Sequence, residues 1–368
     1  MHLGDPTGSS RALRQIRQLR GAGASVRVLG MGAARHPAAL DGLRMLPRPA
    51  GRGPAFFWAA HRAVAAALAG ERAGVVHASD LHVLPAAAAA AARWRAPLVY
   101  DAREWYAGLD ASAGRPWVRW LWTAVERRWA PRADLVLTVN GAIADRLAAE
   151  RGLVRPTVVH NVAAGAPRAP TGALRARLGL DGRPLALYQG LLRPGRGLGA
   201  LVDAFADPAL AGAALVLIGE GAQEAELRDR ARAAGDRVHF VPFTPPDALA
   251  ALTPDADLGV IVARPLTESL RLGLPNKLFE YAAAGLPVLA GAGIEPLRDA
   301  VLAAGAGEAV DPDDRPALVA ALHRMLTDGE ARAAYRAGLA RLRETFSPER
   351  EAAVFLDAYA PLLGSHRP

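Results

Sequence analysis

The chain has no cysteine, and it has a single lysine among its 44 basic residues. The first absence excludes disulfides, thiolate nucleophiles and cysteine-held zinc. The second singles out one position. Lys277 stands beside Asn276, one of only three asparagines, and three residues before Glu280. No apolar run approaches the roughly 18 residues of a membrane-spanning helix. The longest, Leu84 to Ala92, is mostly alanine. The first residues lack a charged stretch followed by an apolar one, so the expectation is a cytoplasmic protein without a signal peptide. The histidines show no HExxH spacing, and no metal site is expected. Neither an RRM signature nor helix-turn-helix spacing is present, so nucleic acid is not an expected partner. The formal charge of +8 favours an anionic partner, either phosphate groups or an anionic membrane surface.

With 368 residues, 51% of them hydrophobic, the chain is long enough for two domains of ordinary size. The stretch around the lone lysine, LGLPNKLFEYAAAGLPVLAG (272–291), reads as a helix opened by Pro275 and closed by Gly285 before a strand. Asn276 and Lys277 then lie in its first turn, where free N–H groups favour an anion. Glu280 falls on the same face and can accept hydrogen bonds from a diol such as a ribose. A surface Lys–Glu ion pair at a helix start is the alternative reading.

The N-terminal half, 1–165, begins with a helix at 10–20 capped by Ser9 or Ser10, then a strand at 25–29. A doubly wound sheet normally opens with a strand, and residues 1–5 make a poor one. Either the start lies upstream or this sheet lacks its first strand. Residues 30–74 are less regular apart from a helix at 56–69. Strands at 75–77, 97–100 and 134–139 and helices at 83–94 and 142–151 follow. Polar residues at the carboxyl ends of parallel strands are site candidates, here His77, Asp80, Asp101 and Glu104. The alternative for each is a cap on the next helix. All seven tryptophans precede residue 130. In the helix PWVRWLWTAVERRWA (116–130), Val118, Leu121, Trp122, Val125 and Trp129 share one apolar face. Trp117 and Trp120 flank it among arginines, which suits either an aromatic core or a membrane interface.

Residues 163–173, rich in Ala, Pro and Gly, read as a linker. In the C-terminal half, 174–347, strands at 185–189, 214–218, 238–241, 258–262 and 287–290 alternate with helices, as in a parallel doubly wound sheet. The loop GLLRPGRG (190–197) brings Gly190, Arg193, Gly195, Arg196 and Gly197 between a strand and a helix. Such a loop can present backbone N–H groups and arginines to a diphosphate. Gly219-Glu220-Gly221 forms a second strand-to-helix turn.

The segments YQGLLRPGRGLGALVDAF (188–205), LVLIGEGAQEAELRDRA (215–231), VHFVPFTPPDALAALTPDADLGVIV (238–262) and LPNKLFEYAAAGLPVLAG (274–291) together resemble retaining glycosyltransferases of the GT-B fold, family 4. VHASDLHVLPAA (76–87), LVYDARE (98–104) and DLVLTVNGAIADRL (134–147) continue the resemblance. It implies an α/β chain of two Rossmann-like domains facing a cleft. The C-terminal one would bind a nucleoside-diphosphate sugar and the N-terminal one a glycan or lipid-linked acceptor. Catalysis would need no cofactor or metal and would rest on Arg196, Lys277 and Glu280. Gly190, Arg193, Gly195, Gly197, Gly219, Glu220 and Asn276 would contact the donor. His77, Asp80 and Glu104 would lie on the acceptor side.

The resemblance also has departures. Leu191 stands where the first of a basic pair is usual, so that charge is either missing or supplied by Arg193. Leu272 replaces the first of two glutamates, Glu268 is out of register, and Ser79 replaces a histidine. The helix at 348–368 would cross back to the N-terminal domain. The implied activity is sugar transfer in polysaccharide biosynthesis, at the inner membrane face if the tryptophans meet lipid. Two alternatives share these residues: a nucleotide-sugar epimerase of similar fold, and a non-catalytic nucleotide-sugar-binding subunit.

Overall fold

The computed structural model describes residues 1–51, 53–109, 114–162 and 169–364. The chain divides into two compact units, Met1–Asn161 with Glu349–Pro368, and Val162–Pro348. Of the expected linker, 163–168 lie outside the described residues. Residues 365–368 of the expected last helix do too.

The first unit runs α1 (Ser10–Gly21), β1 (Val28–Met31), β2 (Leu43–Leu46), α2 (Gly53–Ala67), β3 (Val76–Ala78), α3 (Leu84–Trp94), β4 (Leu98–Ala102), α4 (Pro116–Trp129), β5 (Leu135–Thr138), α5 (Gly141–Arg151) and β6 (Thr157–Val158). The parallel pair β1–β2 and the parallel sheet β3-β4-β5-β6 form separately. Residues 1–4 form no regular strand, yet they occupy a first strand's place. On one side, His2 N–H donates to the Leu29 carbonyl and Met31 N–H to Gly4, both at 2.9 Å. On the other, Ser79 N–H donates to the Met1 carbonyl at 2.9 Å. The position that the sequence left empty is therefore filled, by backbone pairing with no apolar alternation to announce it. Two further expectations are corrected. The strand expected at 25–29 begins three residues later, at Val28. Residues 43–46, within the irregular stretch, form a second strand.

The second unit runs α6 (Ala173–Leu178), β7 (Leu185–Gln189), α7 (Leu198–Ala204), β8 (Ala214–Ile218), α8 (Glu224–Ala231), β9 (Val238–Val241), α9 (Pro246–Leu252), β10 (Leu258–Ile261), α10 (Glu268–Arg271), α11 (Asn276–Ala284), β11 (Val288–Gly291), α12 (Glu295–Ala304), β12 (Gly307–Val310), α13 (Arg315–Thr327) and α14 (Gly329–Thr345). The last helix, α15 (Pro348–Gly364), packs in the first unit. Its Phe355 and Tyr359 meet Leu19, Val99, Leu137 and Val159.

The second unit's six strands are all parallel, in the order β12-β11-β10-β7-β8-β9. Strand β12 is an addition to the five expected. Side chains alternate across a strand, so both faces must be covered. Ala186, Tyr188, Leu215 and Leu217 pack on one face with Leu201, Phe205, Leu318 and Leu322. Leu185, Leu187, Val216 and Ile218 pack on the other with Leu278, Phe279, Tyr281 and Leu297. Chain order reverses between β7 and β10, which makes the carboxyl ends of these two strands the switch point of the sheet.

A strongly polar cluster is buried in the first unit. The Arg11 guanidinium grips Asp101 with Nε at 2.8 Å and a second nitrogen at 2.7 Å, and Gln15 adds a donor at 3.0 Å. Both ionic side chains are at most 3% exposed. Burial alone would raise the Asp101 pKa. The Arg11 charge and hydrogen bonds outweigh it and pull the pKa from 3.8 to about 2.

Because the folded pKa is depressed, this stabilisation is present above pH 3.8 and is lost as pH falls toward 2. Arg11→Met leaves a buried carboxylate unpaired and is expected to cost about 3–5 kcal/mol at pH 7. Denaturation followed by tryptophan fluorescence checks this, because all seven tryptophans lie in the first unit.

Candidate functional site

At the switch point two glycine loops are tied together. The Gly190 N–H donates to the Ile218 carbonyl at 2.8 Å and the Leu192 N–H to Glu220 at 2.9 Å. Gly190 and Gly219 have φ of +126° and +148°, which only glycine adopts readily. A side chain on Gly219 would also collide with the Gly190 carbonyl. Gly195 and Gly197 lie in the same loop, and Gly197 opens α7 pressed against the Val262 carbonyl. Glu220 takes part through its backbone carbonyl, and its side chain is exposed.

The first turn of α11 meets this loop. Pro275 stands at the N-cap with an extended ψ of 139°, and Gly285 at φ 77° ends the helix. Asn276 is the exposed first residue. Lys277, the second, lays its ammonium over the Tyr188 ring, 4.9 Å from the centroid, a cation–π contact. The same ammonium covers Gly190 so closely that a Cβ there would lie 2.8 Å from Nζ.

Burial lowers the Lys277 pKa from 10.5 to about 8. Arg196 and Arg193 push it the same way, and Glu280 opposes them. Burial likewise pushes Tyr188 up to about 12, against the same two arginines. Arg193, Arg196 and Lys277 therefore form one cationic cluster at the carboxyl end of β7. Neither Arg193 nor Lys277 has a carboxylate within ion-pair distance among the described residues. Concentrated positive charge beside a helix N-terminus is suited to a doubly charged anion. Leu191 is 55% exposed, and Arg193 supplies the second arginine of the loop.

Glu280 lies one turn further along α11. Its Oε2 accepts from the Gln189 side-chain amide at 2.5 Å, and the amide oxygen of Gln189 accepts from the Thr253 hydroxyl at 2.9 Å. Tyr281 anchors the helix from beneath: its hydroxyl donates to the Leu187 carbonyl at 3.1 Å and accepts from the Gln189 N–H at 3.2 Å. Leu272 is buried, and Glu268 opens the short helix α10 behind a Thr267 cap. Sequence reasoning missed Tyr188, Gln189 and Thr253. A glutamine closing the otherwise apolar strand LALYQ was the one signal available.

The acceptor-side candidates have different fates. Asp80 accepts N–H bonds from His82 at 2.8 Å and from Val83 and Leu3 at 3.2 Å, so it caps the approach to α3. His77 is paired through Nδ1 with the Tyr359 hydroxyl, while its Nε2 lies 4.0 Å from Asp101 and makes no hydrogen bond. Burial, partly offset by Asp101, lowers its pKa to about 4, so it is neutral at pH 7. Asp101 is committed to Arg11. Glu104 is exposed. His77 and Asp101 come together. No group of three or more potential metal ligands occurs among the described residues. Nor is any helix among them long and apolar enough to cross a membrane.

Residues 7–165 match the family model of the glycosyl transferase 4-like domain, and residues 183–328 match that of the glycosyl transferases group 1. No curated protein sequence matches the chain significantly. Solved structures similar to it include Anabaena HepE in complex with UDP-glucose, at 18% identity and TM-score 0.71, covering 99% of each chain. Sucrose-phosphate synthase from Thermosynechococcus elongatus is 22% identical over 99% of each chain, with TM-score 0.72. A trehalose-6-phosphate protein of E. coli bound with UDP-2-fluoro glucose is 13% identical over 98% of each chain, also at 0.72. These likenesses carry the fold, and the two family models, met in order along most of the chain, carry the family. The chain belongs to the glycosyltransferases of GT-B fold, a glycosyl transferase 4-like domain followed by a group 1 domain.

Proposed function

We propose that the protein transfers a sugar from a nucleoside-diphosphate sugar to a glycan or lipid-linked acceptor, with retention at the anomeric carbon. One observation carries the reading. Lys277 covers Gly190 at the switch point of a six-stranded parallel sheet, within electrostatic reach of Arg193, Arg196 and the carboxylate of Glu280. The arginines, Lys277 and the α11 N-terminus stabilise the diphosphate as it leaves, a role that fixed charges perform without rearrangement and without a metal ion. Gly190, Gly195, Gly197 and Gly219 let the backbone approach the phosphates, Glu220 shapes the second loop through its carbonyl, and Asn276 stands at the helix opening. Glu280 accepts from the ribose hydroxyls. The similar structures that hold UDP-glucose and UDP-2-fluoro glucose make a uridine donor the first to test.

The acceptor belongs to the first unit in this reading. Its exposed Trp58, Trp117 and Trp120 are between 57% and 71% accessible, and Arg62 lies over the Trp58 ring at 4.7 Å. Aromatic rings paired with arginine suit the headgroup level of an anionic membrane, which supports reading the enzyme as a peripheral protein of the inner membrane face in polysaccharide synthesis. His77 and Glu104 are its acceptor-side candidates. Asp80 has the weaker claim, since its carboxylate is already engaged.

Lys277→Ala and Arg196→Ala are each expected to lower kcat by about 10²–10³, while EDTA leaves the rate unchanged. Steady-state kinetics with UDP-sugars checks this, and loss of activity on chelation contradicts the metal-free reading. The depressed Lys277 pKa adds a pH signature. The ammonium is charged below about pH 8, so affinity for UDP should fall as pH rises through that value. Calorimetric titration between pH 7 and 9.5 checks it, and Lys277→Met should bind weakly and with a flat profile. A wild-type profile that rises with pH rules out Lys277 as a phosphate ligand.

A further inference from the structure

Glu280 does not stand alone on its helix. Gln189, the last residue of β7, is 2% exposed and reaches across to it from the neighbouring strand. An ionised carboxylate can only accept, so the Gln189 amide must turn its NH₂ toward Glu280, where the contact is 2.5 Å. The amide oxygen is then left facing the Thr253 hydroxyl at 2.9 Å, and that hydroxyl must donate. The Thr253 hydroxyl also lies 2.8 Å from the Leu249 carbonyl, and with one proton it serves one acceptor at a time. The polarity of the chain Thr253–Gln189–Glu280 is thereby fixed from its acidic end. The base of the chain is rigid. Gln189 N–H donates to the Tyr281 hydroxyl, Tyr281 is fully buried, and its ring fills the space above Gly259 that any side chain there would claim. Oε2 of Glu280 is engaged in this way, and Oε1 has no hydrogen bond among the described residues.

We infer that Gln189 and Thr253 are positioning residues: they lock the Glu280 carboxylate through one oxygen and leave the other for a pair of sugar hydroxyls, so that the site prefers ribonucleotides over nucleotides lacking the ribose diol. The inference rests on the donor-site reading above and adds the origin of its selectivity. A carboxylate free to rotate loses side-chain entropy on meeting the diol, whereas one already held does not. Selectivity of this kind belongs to sites that hydrogen-bond a hydroxyl, because the analogue without it leaves buried polar groups unpaired. The phosphate contacts lie on Arg193, Arg196 and Lys277, so they are not expected to change when the relay is cut.

The test compares UDP with 2′,3′-dideoxy-UDP by calorimetric titration of the full-length protein. The wild type should favour UDP by about 10- to 100-fold, the range expected for hydrogen bonds to a charged group. Gln189→Met should bring that ratio to within roughly threefold while leaving dideoxy-UDP affinity, and hence the folded phosphate site, unchanged. Thr253→Val should lower the ratio by a smaller factor, and the double variant should be no worse than Gln189→Met alone, since both act on one chain of bonds. Retention of the wild-type ratio by Gln189→Met overturns the inference, as does additivity of the two substitutions. A wild type that binds both nucleotides equally also overturns it but leaves the diphosphate site standing. A wild type that binds neither overturns the donor-site reading as well. Should Gln189→Met fail to fold, an unchanged ratio in Thr253→Val overturns the inference by itself.

Discussion

The chemistry of the second unit depends on how closely three backbone segments approach at Gly190. The loop after β7 passes so near the turn after β8 that Gly219 can carry no side chain, and the first turn of α11 presses Lys277 onto Gly190 itself. This crowding places three cations in one patch and removes much of the water around Lys277. That desolvation costs energy, visible in the lowered Lys277 pKa. A structure that holds like charges together and half-buried is one that a bound anion would relax. The same approach lets Gln189 reach Glu280 across the gap between strand and helix. In the proposed function, phosphate and ribose recognition are two consequences of one backbone geometry.

The first unit uses its buried charge differently. Arg11, Gln15 and Asp101 satisfy one another, and Glu126 is completely buried with Arg151 at 2.8 Å and the Tyr100 hydroxyl at 2.8 Å. The Arg151 guanidinium also lies over the Trp105 ring at 4.3 Å. Such pairs add little net stability over apolar packing, but breaking one is costly. Helix α15 joins this unit through a similar polar contact: the Glu351 carboxylate accepts from His160 N–H at 2.6 Å and meets its ring Nδ1 at 2.8 Å. Asp101 belongs to this structural network, although its place at a strand's end marked it as a site residue. His77 sits beside it with one ring nitrogen unsatisfied.

Much of the second unit was legible in the sequence because its strands are short apolar runs punctuated by glycine, and glycine positions carry the loop chemistry with them. The lone lysine and the glutamate one turn on pointed to the same helix face that the structure shows. Strand β12, GEAV, escaped because Glu308 interrupts it. That carboxylate is held by Arg324 and by the Tyr335 hydroxyl at 2.5 Å, from helices 16 and 27 residues away. In α4 the periodicity gave Val118 and Trp122 correctly but could not show that Glu126 shares their burial, since its partner Arg151 lies 25 residues on. Gln189, Tyr188 and Thr253 were hidden for the same reason. Their roles come from contacts between strand and helix, and no local pattern encodes them.

The most direct test of the central claim is a crystal structure of the protein with UDP. The account predicts the diphosphate at Gly190, with its oxygens within hydrogen-bond distance of Lys277 Nζ and the Arg196 guanidinium and the ribose hydroxyls on Glu280. A nucleotide bound elsewhere on the second unit, or at Gly190 with Lys277 turned away from the phosphates, would contradict it.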